Sequence, residues 1–389
     1  MQTQPIVLCF LLLGCQSNKS ISDTSDSIAS NEWADCGGFA DTPFLLSPSE
    51  VSTQIHPDVV FAEGQFWISY NLPNELGKFE VWLQALDCEG NQTFGPELVS
   101  VDAEVNHTVP RLAVSGDTVM LLWQSDDASG SQNLSIRYRT LDVTTEVFSE
   151  RLFWSPFPEG TSDILNSWMP AIDSFDGGFW VAGAVAYDDT FSIVAQPINA
   201  SGEFISEPTL LSPAARASYY PSIAAKSDNE FGLIYEAISG SNTVHMGEWS
   251  SGSFVEQFSL DNAAAPDVTK SDQGYLTAMH VDTSEPTVYL GEDELGTGGL
   301  THTPSISLGE DGFLVSHYKI ISGFQNSLHW TWHHLDGTLA ADGMMIQDPP
   351  AAPYKTALTH IGGNGFMAVW SGGQSPDFML YAKRILPAR

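Results

Sequence analysis

Asp58 and Asp267 each follow directly on a proline, at the same place in a pattern that recurs along the chain. Two carboxylates facing a glycosidic bond can cleave it, one as acid and the other as base or nucleophile. They are the catalytic candidates here, set against 48 Asp and Glu whose ordinary work is hydration. A second group suits recognition rather than reaction. His56, His107, Trp168, Tyr219, Tyr220 and His302 lie within three residues before such a proline, and Tyr354 lies near the seventh position. Aromatic rings stack on sugar faces or anchor peptides, and a few convergent polar groups set orientation. Glu75, Asp126, Asp127, Asp188, Asp189, Asp282 and Asp377 fall in loops expected at the same end. Their carboxylates would accept hydroxyl hydrogen bonds or recruit a cation.

Other candidates are weaker chemistry. Asp126-Asp127, Asp188-Asp189 and Glu292-Asp293-Glu294 offer hard oxygen ligands for Ca²⁺, but none has the alternating spacing of an EF-hand. No cofactor is expected, with Ca²⁺ the one candidate. Trp330, Trp332, His333 and His334 resemble a metal or stacking site, yet strand alternation puts the two Trp on one face, as core packing requires. Gly-rich phosphate loops, Gly-x-Ser-x-Gly elbows and His-Glu-x-x-His motifs are missing from the sequence. With 14 Lys and Arg against 48 acids the net charge is −34, which excludes a polyphosphate partner. Excess negative charge of this kind maintains solubility in a salty habitat.

The elements that must position these residues are short strands. From residue 56 one unit recurs: Pro, an alternating run, a Gly turn, an aromatic, and a second alternating run. It reads Pro57…Gly64-Gln65-Phe66-Trp67, Pro110…Gly116-Asp117-Thr118-Val119, Pro170…Gly177-Gly178-Phe179-Trp180 and Pro221…Asn229-Glu230-Phe231. It continues as Pro266…Gly274-Tyr275, Pro304…Gly312-Phe313 and, with Ala357 in place of Pro, Gly365-Phe366. Phe66 and Phe366 lie six intervals apart, so the mean period is (366 − 66)/6 = 50 residues. Each copy has room for four strands, the third seen in Phe79-Glu80-Val81-Trp82-Leu83 and the fourth in Pro208-Thr209-Leu210-Leu211-Ser212.

A four-stranded antiparallel unit at this period is the mark of a propeller blade. The repeat also resembles the tandem blades of secreted bacterial propeller proteins, over roughly residues 56–389. The expectation is an all-β, seven-bladed β-propeller. Copy seven runs out after its third strand, and Pro43-Phe44-Leu45-Leu46-Ser47-Pro48 nearly duplicates Pro208–Pro213, so an N-terminal strand should complete that blade. Ser174-Phe175-Asp176-Gly177-Gly178 is similar to the Asp-box turn of sialidases, a structural turn between the first two strands of a blade. Sialidases also need an arginine cluster. Of seven Arg here, only Arg111 adjoins a repeat proline.

The N-terminus reads as an address. Ile6–Leu13 is an apolar run too short to span a bilayer, and it ends in Leu12-Leu13-Gly14-Cys15. That ending resembles the lipobox of bacterial lipoproteins, although residues 1–14 carry no Lys or Arg. The resemblance implies a signal peptide over 1–14 and lipidation of Cys15. Gln16 after it favours the outer membrane. Residues 15–35, rich in Ser and Asp, read as a flexible tether, and 36–389 as a single propeller domain. With Cys9 removed and Cys15 acylated, Cys36 and Cys88 remain, which an oxidising compartment would join in one disulfide. The expected partners are a membrane through the lipid anchor and a glycan, peptide or envelope protein at the blade-loop face. Two functions are carried forward: a binding or scaffold module of the cell envelope, and a carbohydrate-active hydrolase or lyase.

Overall fold

The computed structural model describes residues 43–46, 55–126, 134–154, 156, 167–187, 190–212, 217–238, 240–282, 287–294, 300–322, 325–347, 356–374 and 377–387. Cys15, Cys36, Tyr354, Asp127, Asp188, Asp189 and the expected signal peptide and tether lie outside these residues. Residues 34–389 form one compact unit. Its regular elements, among the described residues, are all strands. They assemble into seven antiparallel sheets that follow one another in chain order. The inner strands are Ile55–Ala62, His107–Ser115, Ser167–Phe175, Ala217–Ser227, Ala263–Ser271, Leu300–Leu308 and Ala357–His360, in blades 1 to 7. Inner strands of successive blades pack side by side, and that of blade 7 returns to blade 1. The chain is a seven-bladed β-propeller.

Apolar interfaces between blades hold the ring. Buried clusters occupy every one of the seven interfaces, from Val59, Phe66 and Val369 between blades 7 and 1 to Leu314, Trp332 and Trp370 between blades 6 and 7. The landmark aromatics Phe66, Phe179, Phe231, Phe313 and Phe366 are all buried. Each stabilises by roughly 2–3 kcal/mol, more than a single net hydrogen bond of about 1 kcal/mol. Trp330 and Trp332 both pack toward blade 7, as alternation along one strand face requires. Gly177 sits at φ 87° in the turn between the first two strands of blade 3, where a side chain would be strained.

Closure uses the N-terminal segment. Phe44–Leu45 forms the outer strand of blade 7, with Phe44 opposite Ala382 and Leu45 opposite Tyr381. Leu46 N–H donates to Leu380 O at 2.9 Å. The last strand of the chain, Asp377–Ile385, would otherwise present an open edge.

Candidate functional site at the channel mouth

The repeat proline introduces a local irregularity that shapes one end of the ring. The residue before it has a positive φ in six blades: His56 (51°), Val109 (53°), Met169 (52°), Tyr220 (49°), Ala265 (49°) and Thr303 (43°). At each of these places the register between inner and second strand shifts. Proline cannot donate to the ladder, so the strand accommodates it by a bulge with one extra residue. A left-handed conformation costs a non-glycine residue roughly 1–2 kcal/mol. Strain repeated at one end of a ring is the kind that clusters at working surfaces.

The register places the candidates at that same end. Ile55 lies opposite Asn71, His107 opposite Ser125, Trp168 opposite Ala184, Tyr219 opposite Glu236 and His302 opposite Tyr318. Every one of these partners lies toward the far end of its second strand. Their surroundings nevertheless differ.

His107 is sealed in, a correction to its expected place on an open rim. It is 0% exposed and packs edge-on to Trp123 between blades 1 and 2. Its Nε2 lies 2.9 Å from Asp102 O, which can only accept, so Nε2 carries the hydrogen. Nδ1 then accepts from Ser125 Oγ at 2.7 Å and from Trp123 Nε1 at 3.2 Å. Burial pushes its pKa down to about 4, and the imidazole stays neutral. His56 is treated alike: burial, then the Arg111 charge, lowers it to about 4 while a hydrogen bond with Asn71 opposes the shift. Asn71 Nδ2 donates to His107 O at 2.7 Å, so these groups tie blade 1 to blade 2.

Blades 3 and 4 present something different. Trp168, Phe191 and Tyr219 form a continuous aromatic shelf, with ring centroids 5.0, 5.3 and 6.3 Å apart. The Trp168 indole N–H is buried without a hydrogen-bond partner among the described residues. Beside the shelf Tyr220, turned out by its left-handed backbone, is 48% exposed. Opposite Tyr219 in the ladder is Glu236, buried at 4% exposure, whose Oε1 accepts the Ala265 N–H at 2.6 Å. Burial raises the Glu236 pKa. Burial and the neighbouring Glu236 charge also raise that of Tyr220. Glu236 was not among the sequence candidates. The signal was there, since a lone carboxylate ends the apolar run Phe231–Tyr235.

Asp58 and Asp267 are brought to separate interfaces. Asp58 Oδ2 accepts from Leu112 N at 2.8 Å, latching blade 1 to blade 2. Asp267 accepts from Ser222 Oγ at 2.7 Å and from Ile306 N at 3.0 Å, joining blades 4, 5 and 6. Asp173 does the same one turn along, accepting from Ala225 N at 2.8 Å and Lys270 Nζ at 3.2 Å. These carboxylates set the register of adjacent inner strands. Among the described residues no group of three or more His, Cys, Asp or Glu is arranged to hold a metal ion.

No protein-family model matches the chain, and no curated protein matches it. Solved structures do. An ulvan lyase of polysaccharide lyase family PL25, bound to a GlcA–Rha3S ligand, superposes with a TM-score of 0.60 at 9% identity, covering 88% of this chain and 97% of the lyase. A protein of unknown function from Dyadobacter fermentans gives 0.57 at 9% identity, covering 90% and 98%. A mutant of Trypanosoma rangeli sialidase displaying trans-sialidase activity reaches 0.47 at 11% identity, covering 90% of this chain and 57% of the mutant. At such identities the likeness is one of fold alone.

Proposed function

We propose that this propeller is a glycan-binding module of the cell envelope, anchored through an acylated Cys15, braced by a Cys36–Cys88 disulfide, and engaging sugar at the mouth lined by Trp168, Tyr219 and Tyr220. The observation that carries the reading is the aromatic shelf of blades 3 and 4. It combines adjacent rings, a buried indole N–H awaiting an acceptor, and an exposed tyrosine beside them. Rings of this kind supply apolar faces for pyranose C–H surfaces, while N–H and O–H groups set orientation. The lyase among the structural neighbours acts on a polysaccharide, which supports a sugar as ligand. Charge narrows the class. A uronate- or sulfate-bearing polymer would meet a chain of net charge −34, so a neutral glycan is the better fit.

One observation favours a catalytic variant of the same reading. Glu236 is a buried carboxyl whose pKa burial raises, next to Tyr220 at the shelf, and a raised carboxyl pKa is what a general acid requires. A neutral-glycan array and a hydrolysis and elimination screen on the full-length protein separate the two. Binding without turnover supports the module, and turnover abolished by Glu236→Gln supports the enzyme. Absence of both overturns the sugar reading.

A further inference from the structure

Blade 5 is short. Its third strand is Thr287–Leu290 and its outer strand Asp293–Glu294, four and two residues. Blade 4 has nine in each, Asn242–Ser250 and Ser253–Asp261, and blade 6 has ten and nine, Gln325–His334 and Leu339–Gln347. The shortening is written in the sequence, where Pro266 and Pro304 stand 304 − 266 = 38 positions apart. Pairing of the third strand stops at Leu290 opposite Ala278. Thr277 O still accepts from Gly291 N at 3.1 Å, but among the described residues no strand lies outside Gly274, Tyr275 and Leu276. In blade 6 the matching stretch is covered, with Gly312 opposite His334 and Phe313 opposite His333.

The result is a cleft of about 660 Å³ on the flank of the ring, toward the end opposite the mouth. Phe258 and Glu248 of blade 4 form one wall, and Phe313 and His333 of blade 6 the other. The Tyr275 ring lies flat against Gly232, where a Cβ would sit 2.5 Å from it, so a larger residue there would push Tyr275 outward. Among the described residues, two polar groups of the lining lack hydrogen-bond partners. His333 is 1% exposed, and its Nδ1 lies 3.1 Å from Gly337 O, which can only accept. Nδ1 therefore carries the hydrogen, and Nε2 is a buried acceptor with no hydrogen-bond partner. The Tyr275 hydroxyl is also buried and unpartnered. Burial lowers the His333 pKa, so its ring stays neutral at pH 7. Glu248, Asp293, Glu294 and Asp336 line the cleft, and no Lys or Arg does. Lys226 sits over the Tyr275 ring at 4.6 Å and is paired with Glu230.

We propose that this cleft receives an extended, basic segment of a partner protein, which adds as the missing strand alongside Gly274–Thr277. Strand addition supplies main-chain hydrogen bonds for affinity and pockets for alternate side chains. Here one set of side chains lies on Phe258, Leu276 and Leu290, and the other carries ammonium or guanidinium groups toward the acidic rim. The chain's own N-terminal segment does not suit the place. Residues 16–42 bring Asp23, Asp26, Glu32, Asp35 and Asp41 against a single Lys19. A second copy, at net charge −34, brings the same mismatch to the acidic rim of this cleft. A basic strand from another protein is the occupant that both edge and charge select.

The test uses the full-length protein and a fluorescein-labelled peptide of alternating Lys and Val, read by anisotropy. Two further peptides carry Glu for Lys, or N-methyl groups on alternate amides. Asp293→Lys/Glu294→Lys is compared with Glu89→Lys/Glu146→Lys, a variant of equal net charge altered on exposed turns of other blades. The expected result is saturable binding that N-methylation and the blade 5 variant each weaken by about tenfold or more, while the control variant stays within about twofold. The peptide should also slow hydrogen exchange at the Tyr275 amide. If the N-methylated peptide binds as well, the cleft is at most a site for free cations and strand addition is refuted. Equal loss in the control variant, or no binding of the basic peptide at all, refutes it too.

Discussion

Removal of residues 43–46 isolates the contribution of the closing strand. Blade 7 supplies only three strands of its own, Ala357–His360, Phe366–Gln374 and Asp377–Ile385. The deletion loses the pairing of Phe44 and Leu45 with Ala382 and Tyr381, together with the Leu46 N–H bond to Leu380 O. That is about three hydrogen bonds at a net ~1 kcal/mol each. Phe44 and Leu46 also pack, partly buried, on the cluster shared by blades 7 and 1. Half-burial of two such side chains adds about 2 kcal/mol. The sum, about 5 kcal/mol, is a large part of a typical net stability of roughly 5–15 kcal/mol. At about 1–2 °C per kcal/mol for a chain of this size, calorimetry should show a Tm lower by roughly 5–10 °C. Size-exclusion chromatography should show oligomers joined through the bared edge of Asp377–Ile385. An unchanged Tm with a monomeric elution profile would refute closure by this segment.

Three further outcomes follow from particular residues. His56 and His107 are held to about 4, below the ordinary histidine value, so between pH 6.5 and 4 the unfolded chain binds protons that the folded chain refuses. Stability should therefore fall as pH drops through that window, by about 3 kcal/mol per histidine; urea midpoints for the protein and for His107→Gln, which should have a shallower slope, check this. Glu236 has the opposite sign, since its raised pKa means the folded state keeps a proton the unfolded state releases, and stability is lost as pH rises above the ordinary glutamate value. Glu236→Gln retains an acceptor for Ala265 N–H and should be the more stable protein at pH 8 by thermal melting. On the proposed lipid anchor, Cys15→Ser should move the protein out of the detergent phase on partitioning; on the proposed Cys36–Cys88 disulfide, Cys36→Ser would open a loop of 88 − 36 + 1 = 53 residues, cost roughly 4 kcal/mol and expose one thiol at Cys88.

The ring was legible because each blade repeats the same local signals. A proline, a glycine turn and a buried aromatic recur at nearly even spacing, and Pro43–Pro48 copies the outer strand of blade 3 closely enough to identify the closing strand. Where His107, Trp168, Tyr219 and Tyr220 fall along their strands follows from the repeat, because antiparallel strands return to the same end in every blade. Side-chain direction there does not. The extra residue at each bulge shifts the alternation by one, so residues before the proline no longer follow the parity of the strand after it. His107, three residues before Pro110, faces the core as Ser218 does in blade 4, whereas Tyr220 is the left-handed bulge residue itself and faces solvent. The partners of Asp58 and Asp267 lie on neighbouring blades about 40 to 54 residues away, a relation no local pattern carries. His302 lies on the blade 6 inner strand, opposite Tyr318. The cleft of blade 5 follows from one short interval in the repeat, whose meaning depends on the strands lost rather than on any residue gained.

Sugar binding on the aromatic shelf of blades 3 and 4 is the proposal that most needs a direct measurement. Its most direct test is calorimetric titration of the leading neutral glycan from an array into the full-length protein and into Trp168→Ala. Binding should be weakened by about 1–3 kcal/mol in the folded variant. Undiminished affinity in a folded Trp168→Ala protein would contradict it.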